Sequence, residues 1–151
     1  MTEIFISADN IVSPIGLTAA ENFSQLKQHV SGIQLHQISS MSQQPFQAAL
    51  FADGRFNEND QQKKYTKCEN LLITSISDAL SKSNIEPADK KTVLIISSTK
   101  GNISLLETEE ASGSLNKRIS LNTSAKLVAD HFQFINQPVI ISNACISGML
   151  A

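Results

Sequence analysis

The sequence predicts an α/β layered fold. Three observations carry that reading. Two continuous apolar runs, Thr92–Ser97 and Pro138–Asn143, have the composition of buried strands. Tyr65–Ser83 places Tyr65, Cys68, Leu72, Ile76, Ala79 and Leu80 three or four residues apart, the spacing of an amphipathic helix. Strand-like and helix-like segments alternate along the chain, as they do in layered α/β proteins.

In chain order, Glu3–Ala8 is a short β-prone run. It is followed by a loop from Asp9 to Leu17, with Pro14 and Gly16 as breakers. Thr18-Ala19-Ala20-Glu21 has the capping-box pattern, which predicts a helix from about Ala19 to Val30 with Phe23, Leu26 and Val30 on one face. Ser31-Gly32 ends it. Ile33 to Asn59 is polar and weakly patterned. Within it, Gln47–Phe51 suits a strand and Asp53-Gly54 suits a turn. The Tyr65–Ser83 helix then leads, past Pro87, into the first apolar strand. That strand lacks alternation, so both of its faces are expected to be covered. Thr99 to Asn122 is a long polar connection, and its length predicts partial structure. Ser124–Phe134 reads as a helix with Ala125, Leu127, Val128 and Phe132 apolar. The second apolar strand follows, and a helical start runs from Cys145 to Ala151. That start has only about two turns, with Ile146, Met149 and Leu150 in need of something to pack on. It reads as a cut through a longer domain.

Composition excludes some classes. Twelve basic against fourteen acidic residues give a net charge of -2, and the basic residues are scattered, which argues against nucleic acid as the main partner. No segment approaches the roughly 18 apolar residues of a membrane span. The first residues lack the basic and apolar regions of a secretory signal. With two distant cysteines, Cys68 and Cys145, free thiols in a reducing cytoplasm are expected. Cysteine and histidine spacing suggests no metal site.

Cys145 is the candidate for chemistry. A buried strand feeds a turn, and a helix opens with the cysteine at its tip. The unpaired N–H groups and dipole of a helix N-terminus favour thiolate, the nucleophilic form. Ala144, Ser147 and Gly148 are small and leave room for a substrate. The competing reading is an inert buried cysteine, since free cysteines are often buried.

Asn143-Ala144-Cys145-Ile146-Ser147-Gly148 resembles the nucleophile motif of β-ketoacyl synthases. Further segments resemble that family in its own order: Ile11-Val12-Ser13-Pro14-Ile15-Gly16, the helix through Phe23-Ser24-Gln25-Leu26 to Ser31-Gly32-Ile33, the helix Tyr65–Ile85, and Val93 through Ser98-Thr99-Lys100-Gly101. Ile33–Asp60 matches least.

The resemblance implies a thiolase-like α/β fold, its N-terminal half only, with a mixed sheet and packed helices over residues 1–151. It implies that Cys145 takes an acyl group from an acyl carrier protein or coenzyme A. Malonyl-carrier protein would then decarboxylate and attack that thioester, with the Cys145 N–H in the oxyanion hole. Ala144, Ile146, Ser147 and Gly148 would line the substrate, no cofactor is implied, and the intact enzyme would be a cytoplasmic homodimer.

Two departures qualify the match. None of His29, His36 and His131 fits the family's catalytic histidines, so the chain alone is expected not to condense anything. Ile146 is bulkier than the usual alanine. Retention of a cysteine argues against a chain-length-factor subunit. Two alternatives stand beside this reading. One is a self-contained, non-catalytic α/β binding module. The other is a small cysteine acyltransferase or hydrolase with His131 as base, which requires His131 and Cys145 to be hydrogen-bonded. Cys68 is expected in the core, and Lys100 with Glu107, Glu109 and Glu110 on the surface.

Overall fold

A computed structural model describes residues 3–52, 56 and 64–151. The expected Asp53-Gly54 turn lies outside them. The chain divides into two compact units. Residues up to 56 and 74–84 form the first, and residues 64–73 and 85–151 form the second.

In the first unit, helix α1 spans Ala19–Lys27. The Thr18 hydroxyl accepts from the Glu21 N–H at 3.1 Å, as the capping box predicts. The Glu21 carboxylate reaches one residue further back than expected, to the Leu17 N–H at 2.6 Å. The helix stops three residues before Val30, because His29 adopts a left-handed φ of 60°. Phe23 and Leu26 face outward, and the buried residue of α1 is Asn22. Its amide Nδ2 donates to the carbonyls of Ile11 (2.9 Å), Gly16 (3.0 Å) and Thr18 (2.8 Å), and its Oδ1 accepts from Ser13. The Ser13–Gly16 turn is thereby clamped onto the helix. Gly16 is required there, since a Cβ would lie 2.8 Å from Glu21 Cβ. Strands β1 (Gln34–His36) and β2 (Phe46–Ala48) pair antiparallel, with His36 opposite Phe46.

The β-prone run at Glu3–Ala8 forms no strand. Ile4 and Ile6 are 93% and 90% exposed. β-propensity makes a strand only where a ladder partner is present, and none meets this run among the described residues.

Helix α2 spans Lys67–Ser81, within the expected segment. The second unit contains strands β3 (Ile95–Ser97) and β4 (Val139–Ile141), paired parallel with Ile96 opposite Ile140. Backbone bonds extend the pairing at both ends, Val139 N–H to Leu94 O at 2.9 Å and Ser98 N–H to Ile141 O at 3.2 Å. The Asn136 amide ties the entry to β4 to the entry to β3 through the carbonyls of Lys90 and Thr92, both at 2.8 Å. The long connection is indeed partly structured. A 3₁₀ turn runs over Ile103–Glu107, and helix α3 over Gly113–Arg118. Glu107, Glu109, Glu110 and Lys100 are exposed. Helix α4 spans Leu121–His131, starting three residues earlier than expected.

The core of the second unit consists of Leu94, Ile96, Leu115, Ala125, Val128 and Ala129. Leu94 and Ile96 point into it, while Val93, Ile95 and Val139 stay about half exposed. The expectation of a doubly covered strand is therefore corrected. One face of the β3–β4 pair is buried, and among the described residues no layer closes the other. The described strands form two separate two-stranded sheets, one antiparallel and one parallel. No helix among the described residues is long and apolar enough to cross a membrane.

Candidate functional site

β3 and β4 run parallel, so the loops leaving their C-terminal ends start from the same edge of the sheet. Such edges are where open α/β sheets place ligands. Ser98–Asn102 leaves β3 there, and Ser142–Cys145 leaves β4.

The β4 loop is an elbow. Ala144 adopts φ 45°, a left-handed conformation that strains any residue with a Cβ. A 3₁₀ turn over Ala144–Ile146 follows, and helix α5 (Ser147–Leu150) begins only after it. Cys145 thus sits in the turn before the helix rather than at the helix tip. It is exposed and free, which argues against the inert buried reading.

The N–H groups of Ile146 and Ser147 are taken up by the carbonyls of Asn143 and Ala144. Among the described hydrogen bonds none uses the Cys145 N–H. Ser147 is 5% exposed. Its hydroxyl accepts the Asn143 N–H at 2.7 Å and donates to the Ala144 carbonyl at 2.8 Å. A Cβ on Gly148 would meet nothing within 4 Å, and Ile146 is about half exposed.

None of the three histidines makes a described hydrogen bond to Cys145. His29 is exposed after α1. His36 Nε2 meets the Ala48 carbonyl at 3.0 Å. His131 Nδ1 lies 3.1 Å from the Tyr65 hydroxyl, and both the Tyr65 and Phe132 rings meet its ring edge to face. His131 is therefore engaged by Tyr65 and makes no described hydrogen bond to Cys145, which removes the minimum requirement of the cysteine–histidine hydrolase reading.

The structure adds a polar cluster that apolar periodicity does not register. Glu69, in the first turn of α2, is completely buried. The Arg118 guanidinium grips both of its carboxylate oxygens. Asn102 Nδ2 donates to Glu69 Oε1 at 3.0 Å, to Ser124 Oγ at 2.9 Å and to the Arg118 carbonyl at 3.2 Å. Thr66 completes it, its N–H on Glu69 Oε2 at 2.9 Å and its hydroxyl donating to Asn102 Oδ1 at 2.6 Å. Burial pushes the Glu69 carboxyl up, but the bonds from Arg118, Thr66, Asn102 and Ser124 outweigh it and hold the group below the usual glutamate range.

Thr66-Lys67-Cys68-Glu69 is itself a capping box, with the Glu69 N–H returning to the Thr66 hydroxyl at 3.3 Å. The Thr-x-x-Glu spacing is the mark this cluster leaves in the sequence. The cluster ties α2, α3 and α4 to Asn102, at the far end of the β3 loop. Next to it, half-buried Cys68 has its thiol pushed up, by burial first and the Glu69 charge second, which favours the protonated form.

Compared with known proteins, the chain matches no family model and no curated sequence.

Proposed function

We propose that this chain carries the nucleophile of a β-ketoacyl synthase, a thiolase-like condensing enzyme of fatty acid or polyketide type, and is the N-terminal part of that enzyme. The observation that carries the reading is the elbow. Cys145 is exposed one turn after a parallel strand, behind a strained Ala144, and none of the described hydrogen bonds uses its N–H. An accessible thiol beside an available N–H donor is suited to accepting an acyl group from a thioester.

The Cys145 thiolate attacks the thioester carbonyl, forming the Cys145 Sγ–carbon bond. The tetrahedral oxyanion is met by the Cys145 N–H. Collapse breaks the original carbon–sulfur bond, and the carrier thiolate leaves and takes up a proton. Condensation then needs malonyl-carrier protein and groups that promote its decarboxylation. None of His29, His36 and His131 matches the family's catalytic pair in sequence, and His36 and His131 hydrogen-bond to the Ala48 carbonyl and the Tyr65 hydroxyl. In this reading residues 1–151 accept the acyl group on Cys145 and carry out no condensation by themselves.

The parallel β3–β4 pair with its helical crossover is consistent with the thiolase-like layer. The half-exposed Val93, Ile95 and Val139 are consistent with a further layer closing that face. Acyl carrier protein or acyl-coenzyme A is the acyl donor in this reading, the intact enzyme is a homodimer, and the compartment is the cytoplasm.

Mixing the chain with excess acyl-coenzyme A and following thiol release tests the proposal. A burst of one coenzyme A per chain, absent in Cys145→Ser and retained in Cys68→Ser, is expected. Release without a burst, or a burst that survives Cys145→Ser, would count against it.

A further inference from the structure

The Ser147 hydroxyl closes the elbow from the inside. Two of the loop's polar groups converge on it. It accepts the N–H of Asn143 at 2.7 Å and donates to the carbonyl of Ala144 at 2.8 Å. These residues flank the peptide unit that must turn for Cys145 to face outward. Ala144 holds φ 45°, which an alanine leaves readily unless neighbouring bonds over-determine it. The Ala144 carbonyl also receives the Ser147 N–H, so one residue fixes that oxygen through two donors. Because the Ala144 carbonyl and the Cys145 N–H belong to the same peptide group, pinning the oxygen aims the N–H. The serine is buried while the cysteine is exposed, so the hydroxyl works on the loop from the protein side.

We infer that Ser147 is a positioning residue, which orients the Ala144–Cys145 peptide so that its N–H points at the oxyanion formed when Cys145 is acylated. The inference rests on the acyl-acceptor reading of Cys145. It assigns Ser147 to the loop rather than to substrate contact. The chemistry separates this role from a merely structural one. Acylation passes through a tetrahedral oxyanion and needs the aimed N–H. Alkylation by iodoacetamide is a displacement at carbon that forms no oxyanion and needs only an accessible thiolate.

Rates of Cys145 acylation by octanoyl-coenzyme A and of alkylation by iodoacetamide, each resolved by peptide mass, are measured in the wild-type chain, Ser147→Ala and Ser147→Thr. The expected result is an acylation rate about tenfold lower in Ser147→Ala, the scale of losing an alignment rather than a nucleophile. Alkylation stays within about twofold of wild type on the same basis, and Ser147→Thr, which keeps the hydroxyl, restores acylation. Unchanged acylation in Ser147→Ala would overturn the inference and leave the acyl-acceptor reading intact. A parallel fall in both rates together with a lowered melting temperature would also overturn it, since Ser147 would then be a structural residue. No acylation of the wild-type chain would remove the acyl-acceptor reading and the inference together.

Discussion

Arg118 forms a two-pronged ion pair with Glu69, a carboxylate 49 residues earlier in the chain and fully closed to solvent. A buried charge of this kind is tolerated because each of its oxygens has partners, and removing one partner exposes the cost of burying the other. Arg118→Ala is therefore expected to destabilise the protein by about 3 kcal/mol. Glu69→Leu should cost a comparable amount. The double variant should lose less than the sum of the two, since no charge is left orphaned. Urea unfolding of the four proteins checks this, and strict additivity would mean that the pair is not coupled.

The same carboxylate gives a pH signature. Its folded pKa lies below the unfolded value of about 4.3, so the stability it contributes is fully present above that value. It is lost as pH falls through the lower, folded value. Between about pH 5 and pH 2 the wild-type chain should lose more stability than Glu69→Gln, which has no proton to take up at this site. Parallel melting-temperature curves for the two proteins over that range would contradict the assignment.

The two thiols should separate cleanly. Cys145 is exposed, whereas burial and the neighbouring Glu69 charge keep Cys68 protonated. Brief treatment of the folded chain with N-ethylmaleimide should add one adduct, at Cys145, and treatment in denaturant should add two. Labelling of Cys68 at a similar rate in the folded chain would show that the start of α2 opens readily.

Gly101 follows Lys100 in the loop after β3, with φ 52°, and a Cβ there would lie 2.5 Å from Leu121 Cδ2. Gly101→Ala combines a left-handed alanine with that contact and should cost about 1–2 kcal/mol. Asn102 next to it holds the Glu69 cluster, so amide exchange at Asn102 should quicken as well. A variant as stable as wild type would mean that the loop finds another conformation without loss.

Much of the second unit was legible in the sequence, because its signals are local and periodic. The apolar runs became β3 and β4, and the three- and four-residue spacing became α2. The elbow could be expected because small residues follow an apolar run. What stayed hidden depends on partners distant in sequence. The Ile4–Ile6 run has the composition of a strand and lacks a ladder partner among the described residues. Phe23 and Leu26 are spaced as a buried face, yet Asn22 carries the contacts of α1 through hydrogen bonds that periodicity does not register. Glu69 interrupts an apolar stripe and reads as a surface charge until Asn102 and Arg118 are brought to it. The left-handed Ala144 had no marker, since glycine is the usual residue for that conformation.

Cys145 as an acyl acceptor can be tested without any partner protein. The most direct test is the intact mass of the folded chain after incubation with octanoyl-coenzyme A, with fragmentation to locate the adduct. One octanoyl group per chain is expected, on Cys145 and released by hydroxylamine. A chain that stays unmodified, or carries the group on Cys68 or on lysines instead, would contradict it.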